Sequence, residues 1–267
     1  MDLIFAAFAF GTGAIIGSFL NVVIHRYPRE ESIVFPASRC PSCSTPIRPW
    51  DNIPIASWIL LRGRCRSCRE PIAVRYPLVE LANALFWLAA FLHLGPTPGA
   101  LLVATATSMT VVLVFIDAEI QILPDVIDLP GILLGMLIGW LGLGTVHPQL
   151  VLAESILDSI FGAMFGAGLL LAVALTYRLV RKVEGMGMGD VKMMAMIGAI
   201  CGWGAILPVV FLASVTGALI GVAIAMRRSE GLQFALPFGV FLGFALLAVV
   251  FFGRALEAWY FRLLMSA

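Results

Sequence analysis

Charge is what this sequence has least of. Only 12% of its 267 residues are Asp, Glu, Lys or Arg, about half the share of an ordinary soluble domain. With 61% of its residues hydrophobic, the chain has far too few charges to cover a core with a polar surface. That shortage excludes a soluble enzyme and a disordered chain. Cysteine is sparse as well, five residues in all, which excludes a disulfide-rich secreted domain. The first apolar run has no basic stretch ahead of it and no A-x-A cleavage site beyond it. It is therefore expected to remain as a helix and not to be removed as a signal peptide. No Gly-rich strand-to-helix fingerprint of a nucleotide-binding fold occurs either.

What replaces charge is apolar length. Eight stretches stand out, at 3–24, 77–95, 98–116, 127–146, 156–177, 192–207, 208–226 and 235–253. A membrane-spanning helix needs about 20 apolar residues, so the expected fold is an all-α polytopic membrane protein with about eight transmembrane helices. Only Gly202–Pro208 marks a turn between the sixth and seventh stretches. Small residues at four-residue spacing, such as Gly13/Gly17, Gly131/Gly135/Gly139, Gly162/Gly166 and Gly239/Gly243, fit close helix packing in lipid.

The basic residues orient these spans. With the N-terminus outside, the inner connections are 25–76, 117–126, 178–191 and 227–234. With Lys192 at the edge of one of them, they hold 15 of the 17 Lys and Arg residues. Cytoplasmic loops carry such an excess, and only Arg254 and Arg262 fall beyond the last span. The expected organisation is a first transmembrane helix at 1–25, a cytoplasmic zinc-binding loop domain at 26–76 and a seven-helix membrane domain at 77–267.

The loop domain carries Cys40-Pro-Ser-Cys43 and Cys65-Arg-Ser-Cys68, with 21 residues between the pairs. Two C-x-x-C knuckles place four thiolates around one tetrahedral zinc ion. A disulfide or a redox pair is the alternative, but nine arginines put this loop in the cytosol, where thiols stay reduced. A site closed by four cysteines has no open position, so the zinc is expected to be structural. About 50 residues build only a small core, and a metal clip compensates for that. Cys201, inside a span, reads as a packing residue, and His93 and His147 are given no role.

Acidic residues mark the candidate chemistry. Asp117 lies at the inner end of the third span, Leu123-Pro124-Asp125 opens the fourth with Asp128 one turn on, and Asp190 follows Gly187-Met-Gly189 at the entrance of the sixth. Ionisable groups at membrane depth are expensive and usually face a cavity or a partner. Asp125 and Asp128 also suit helix capping, which Pro124 supports. Asp117 and Asp190 suit a catalytic pair, since two carboxylates brought together share a proton, as peptide hydrolysis requires. Glycines before Asp190 let an extended peptide approach. Two other functions fit the same residues, a zinc-binding membrane adaptor without activity and a proton-coupled transporter using the aspartates as a relay.

Taken together, the motifs resemble one family. Gly17-Ser-Phe-Leu-Asn-Val-Val-Ile-His-Arg-Tyr-Pro28, the two cysteine pairs, Arg75-Tyr-Pro-Leu-Val-Glu80, Asp117 through Asp125 and Gly187-Met-Gly-Asp190-Val-Lys192 resemble the type IV prepilin peptidases, in the family's order, over residues 11–200. The resemblance implies a bifunctional enzyme of the bacterial inner membrane serving type IV pilus or type II secretion systems. Such enzymes cut the basic leader from prepilin or pseudopilin precursors after a glycine, at the cytoplasmic face. They then N-methylate the new terminus with S-adenosylmethionine. It further implies that Asp117 and Asp190 are the aspartyl dyad and that Cys40, Cys43, Cys65 and Cys68 bind zinc. Asn21, Glu80, Asp125, Gly187, Gly189 and Lys192 are secondary candidates near the substrate. The S-adenosylmethionine site has no assigned residues, and no nucleic-acid partner is expected. Glu119, Asp125, Asp128 and Glu184 are expected to lend the entrance a negative field that attracts a basic leader.

Overall fold

The computed structural model describes residues 3–183, 185–227 and 236–266. Among them there are helices and no strand, apart from two isolated bridges, Arg39 with Pro46 and Arg64 with Pro71. The chain packs as two compact units, Met1–Val112 and Leu113–Ala267.

In the first unit α1 (Leu3–Arg26) runs into an irregular loop that contains a short turn at Pro49–Asn52 and the single-turn α2 (Ala56–Leu60). Then come α3 (Arg75–Leu94) and the first part of α4 (Pro98–Ile120). α1 and α3 pack against each other. Gly17 permits this, because a Cβ there would lie 2.7 Å from the Glu80 backbone. Apolar helices gain little hydrophobic drive from meeting one another in lipid, so polar bonds help to set their register. Here Asn83 Nδ2 donates to the Gly13 carbonyl at 2.7 Å, Ser108 Oγ to Asn83 Oδ1 at 2.8 Å, and Trp87 Nε1 to Ser108 Oγ at 2.9 Å.

The second unit holds the rest of α4, then α5 (Asp125–Trp140), α6 (Leu143–Val146), α7 (Ile156–Arg181), α8 (Met188–Cys201), α9 (Ile206–Arg227) and α10 (Phe238–Ser266). α8 sits at its centre, against α7, α5 and α10, and every residue from Met193 to Cys201 is buried. Gly162 of α7 faces Gly198 of α8, and a methyl group on either would run into the carbonyl of the other. Ser159 Oγ donates to the Gly135 carbonyl at 3.0 Å, tying α7 to α5. α8 stops at Gly202, whose φ of 81° favours glycine, and a short turn at Trp203–Ala205 leads into α9. The turn expected between the sixth and seventh stretches is therefore present.

Among the described residues, six helical segments are long and apolar enough to cross a membrane: Leu3–Arg29, Arg75–Leu94, Pro98–Ile120, Ile156–Arg181, Trp203–Met226 and Phe238–Ala258. The expectation was about eight. The two remaining stretches, 127–146 and 192–207, overlap α5 and α8, which have 16 and 14 residues. At 1.5 Å per residue these helices are roughly 24 and 21 Å long, short of a hydrocarbon core about 30 Å thick. From Val191 onward the apolar residues of α8 face protein, and one side of α5 does the same.

Candidate active site and metal centre

Asp117 lies in the last full turn of α4 and is 4% exposed. Its Oδ2 accepts the Val240 N–H at 3.0 Å, from the first turn of α10. The neighbouring Gly239 makes that approach possible. A Cβ there would stand 2.9 Å from Asp117 Oδ2 and 3.0 Å from Leu123 Cδ1. Leu123, in the linker before α5, is approached from its other side by Gly189, where a Cβ would lie 2.8 Å from Leu123 Cβ. Asp190 follows in the same first turn of α8. Its carboxylate reaches back to the Gly187 backbone at the helix start, and it lies within electrostatic range of Asp117. Asp117, Leu123, Gly189, Asp190 and Gly239 thus come together, with glycine where a side chain would crowd Asp117 or Leu123.

Lys192 Nζ contacts both carboxylate oxygens of Asp125 at 2.7 Å, joining the first turns of α8 and α5. Asp125 was also expected to suit a cap, as was Asp128, but neither makes a capping bond. Pro124 occupies the N-cap of α5. Asp128 is 0% exposed, and its two oxygens accept no hydrogen bond among the described residues. Asp125, Lys192 and Asp190 all lie within electrostatic range of it. Sequence reasoning passed over this buried carboxylate. The available signal was helical spacing, because Asp128 shares the buried stripe of Gly131, Gly135 and Gly139. The expected negative field needs correction on the same evidence. Asp125 is paired with Lys192, Asp128 faces inward, and Glu184 lies outside the described residues.

Asn21 and Glu80 find their partners inside the first unit. Asn21 Nδ2 donates to the Tyr76 carbonyl at 3.0 Å and binds α1 to the start of α3. Buried Glu80 accepts the Ile55 N–H at 2.7 Å and meets the Ser18 side chain. These contacts fasten the loop to its two helices.

In that loop the sulfurs of Cys40, Cys43, Cys65 and Cys68 all lie within 4.8 Å of one another. Cys40 Sγ is 3.8 Å from Cys68 Sγ, close to the edge of a tetrahedron with metal–sulfur bonds of about 2.3 Å. Both knuckles have one design. The N–H of Cys40 meets the Thr45 carbonyl at 3.0 Å, and that of Cys65 meets the Glu70 carbonyl at 2.8 Å. A left-handed residue follows each second cysteine, Ser44 at φ 56° and Arg69 at φ 62°. Thr45 Oγ1, 3.2 Å from Cys43 Sγ, pulls that thiol down to about 6 and favours the thiolate a metal requires. This donor set could hold a metal ion. Arg66 grips Asp51 with two bonds of 2.8 and 2.6 Å, holding its carboxyl below the ordinary range and joining the second knuckle to the turn at Pro49–Asn52.

Comparison with known proteins agrees with this geometry. A family model described as the bacterial peptidase A24 N-terminal domain matches residues 12–94, and one described as the type IV leader peptidase family matches residues 104–222. A protein of Aeromonas hydrophila named prepilin leader peptidase/N-methyltransferase is 37% identical over 92% of this chain and 90% of its own length. This chain belongs to the type IV leader peptidase family. Family relatives of the same name include one from Pseudomonas putida, 36% identical over 92% of this chain and 90% of its own. Another, from Pseudomonas aeruginosa, is 39% identical over 87% and 85%. No solved structure gives a significant match. Family membership makes the chain a multi-pass membrane enzyme and does not favour the adaptor or transporter alternatives.

Proposed function

We propose that this enzyme removes the basic leader from type IV prepilin or pseudopilin precursors at the cytoplasmic face of the bacterial inner membrane, and then N-methylates the new terminus with S-adenosylmethionine. The observation that carries the peptidase half is that Asp117 and Asp190 lie within electrostatic range of each other, where Gly239 and Gly189 both pack on Leu123. Asp117 is oriented by the Val240 N–H and Asp190 by the start of α8. In hydrolysis one carboxylate takes a proton from the attacking water while the other, carrying the shared proton, polarises the scissile carbonyl. That proton then passes to the leaving amine. Gly187, exposed and with no close neighbour, leaves the backbone at the start of α8 open to an extended peptide, and Lys192 with Asp125 holds the same turn in place. The cytoplasmic orientation is supported by the partition of basic residues.

The metal we assign to the four cysteines is zinc, bound as a closed tetrahedral site with no part in the hydrolysis. Methyl transfer is supported by the names of the relatives. With no strand among the described residues, the methyl donor has no nucleotide-binding sheet to occupy there, and no residue is assigned to it.

The test is incubation of the purified protein in detergent with a prepilin, followed by mass analysis of the product. Leader loss that needs both aspartates, followed by the mass of one methyl group when S-adenosylmethionine is added, is the expected result. Cleavage that survives Asp117→Asn would overturn the dyad, and leader loss without methylation would overturn the second half alone.

A further inference from the structure

The short helix α2 is fixed at an unusual depth. Ile55, immediately before it, gives its N–H to Glu80 at 2.7 Å, and Glu80 is the sixth residue of the membrane-spanning α3. At 1.5 Å per residue that is roughly 7 Å along the helix from its first residue. α2 therefore lies beside the first turns of a span and not beyond its end. The pin holds against backbone strain, since Ile55 is β-branched and sits at φ 62°. On its other flank Trp58 Nε1 donates to the Ile72 carbonyl at 3.1 Å, and Ser57 Oγ to the Trp50 carbonyl at 2.9 Å. With both sides anchored, α2 still leaves Leu60 81% exposed, Ile59 61% and Trp50 59%. Exposed arginines adjoin them: Arg48, which stacks on Trp50 at 5.8 Å, and Arg62 and Arg64 immediately after the helix. The nearest carboxylate, Asp51, is already held by Arg66.

We infer that the segment from Arg48 to Arg64 is a lipid-binding anchor. Trp50, Ile59 and Leu60 sit at the boundary between headgroups and acyl chains, and Arg48, Arg62 and Arg64 bind anionic headgroups. Three features support lipid as the occupant. The depth is fixed by contact with a spanning helix. An aromatic ring and long aliphatic side chains beside arginines match the composition of membrane interfaces. The positive charge, with its nearby acid already paired, complements an anionic leaflet. The anchor would hold the cysteine knuckles at a set height over the bilayer, because Arg66 and Ile72 link them to this segment.

The test uses the full-length protein in nanodiscs of phosphatidylcholine with one-quarter phosphatidylglycerol. A benzophenone amino acid replaces Leu60 in one protein and Ser42, exposed on the first knuckle, in another. Unchanged metal content reports that each has folded. After illumination, lipid adducts at position 60 should exceed those at position 42 by about five-fold or more, with phosphatidylglycerol enriched over its share. The triple variant Arg48→Gln, Arg62→Gln, Arg64→Gln should lose the enrichment and keep the adducts. Equal yields at the two positions would overturn the anchor, and so would crosslinks at position 60 made mainly to polypeptide, which would indicate a substrate or second copy on this surface. Enrichment that persists in the triple variant would remove the arginines from the assignment.

Discussion

Asp117 takes its hydrogen bond from an N–H 123 residues further along the chain, and the residue beside that donor is Gly239. A single added methyl group at Gly239 would press on both the carboxylate and Leu123. Gly239→Ala is therefore expected to lower kcat/KM on a prepilin at least about ten-fold, since small misplacements of a reacting group are costly. Thermal unfolding in detergent should change little. Asp117→Asn and Asp190→Asn are each expected to abolish leader cleavage, and the double variant to be no worse than either, because the pair works as one unit. Membrane insertion and metal content should be unaffected. That Asp117 lies near Asp190, and that the four cysteines cluster, was legible in the sequence because each stands in a short motif with its own spacing. Asp128 was not, because a carboxylate in the first turn of a helix fits a cap as well as a buried site. Only the packed neighbours of α5 decide which way it points.

α5 and α8 carry Asp125, Asp128 and Asp190 in their first turns, and their relation depends on a few contacts. Lys192 and Asp125 are each partly exposed, so their ion pair adds little stability, on the order of 0–1 kcal/mol. Its role is to hold the two helix starts together. Lys192→Gln and Asp125→Asn should each reduce leader cleavage about ten-fold without abolishing it, the double variant matching the singles because one contact is lost in all three. Gly198→Val should act in the opposite sense, through stability. With the Gly162 carbonyl against it, a branched side chain must push α7 and α8 apart at a cost of about 2–3 kcal/mol, visible as a lower detergent melting temperature. The long lipid-facing helices were readable from hydropathy. α8 was counted as a span because burial in protein and burial in lipid select the same residues, and a 14-residue helix with neighbours on several sides satisfies either.

At the scale of the whole chain, the first unit couples a four-cysteine cluster to membrane helices through named contacts: Arg66 to Asp51, Trp58 to Ile72 and Ile55 to Glu80. Replacing Cys43 and Cys68 with serine should release about one metal ion per chain. It should also open the Arg-rich loop to trypsin while the membrane helices stay protected, as limited proteolysis with mass analysis would show. A metal analysis of native protein that finds none would return the thiols to redox chemistry. A cysteine reporter at Ser32 should resist labelling from outside intact spheroplasts if the basic loop is cytoplasmic. The companion position Ser229 lies outside the described residues. The loop and its cluster of four cysteines were legible from sequence, because arginines and C-x-x-C pairs are local signals. Its attachment to α3 was not, since that depends on Glu80 turning inward to meet a backbone N–H 25 residues away in sequence.

The burial of α8 also bears on how the protein is made. Its 14 residues are too few to settle across a bilayer unaided, and Asp190 and Lys192 in its first turns oppose entry further. α8 leaves the ribosome after α5 and α7 but before α10, so its set of packing partners is complete only once α10 has followed. Asp117 likewise waits for the N–H of Val240 at the start of α10. A chain stalled short of Phe238 would have both aspartates and all four cysteines but no finished site. With Asp117 in the proposed dyad, translation itself would delay proteolytic competence until nearly the whole enzyme is in the membrane.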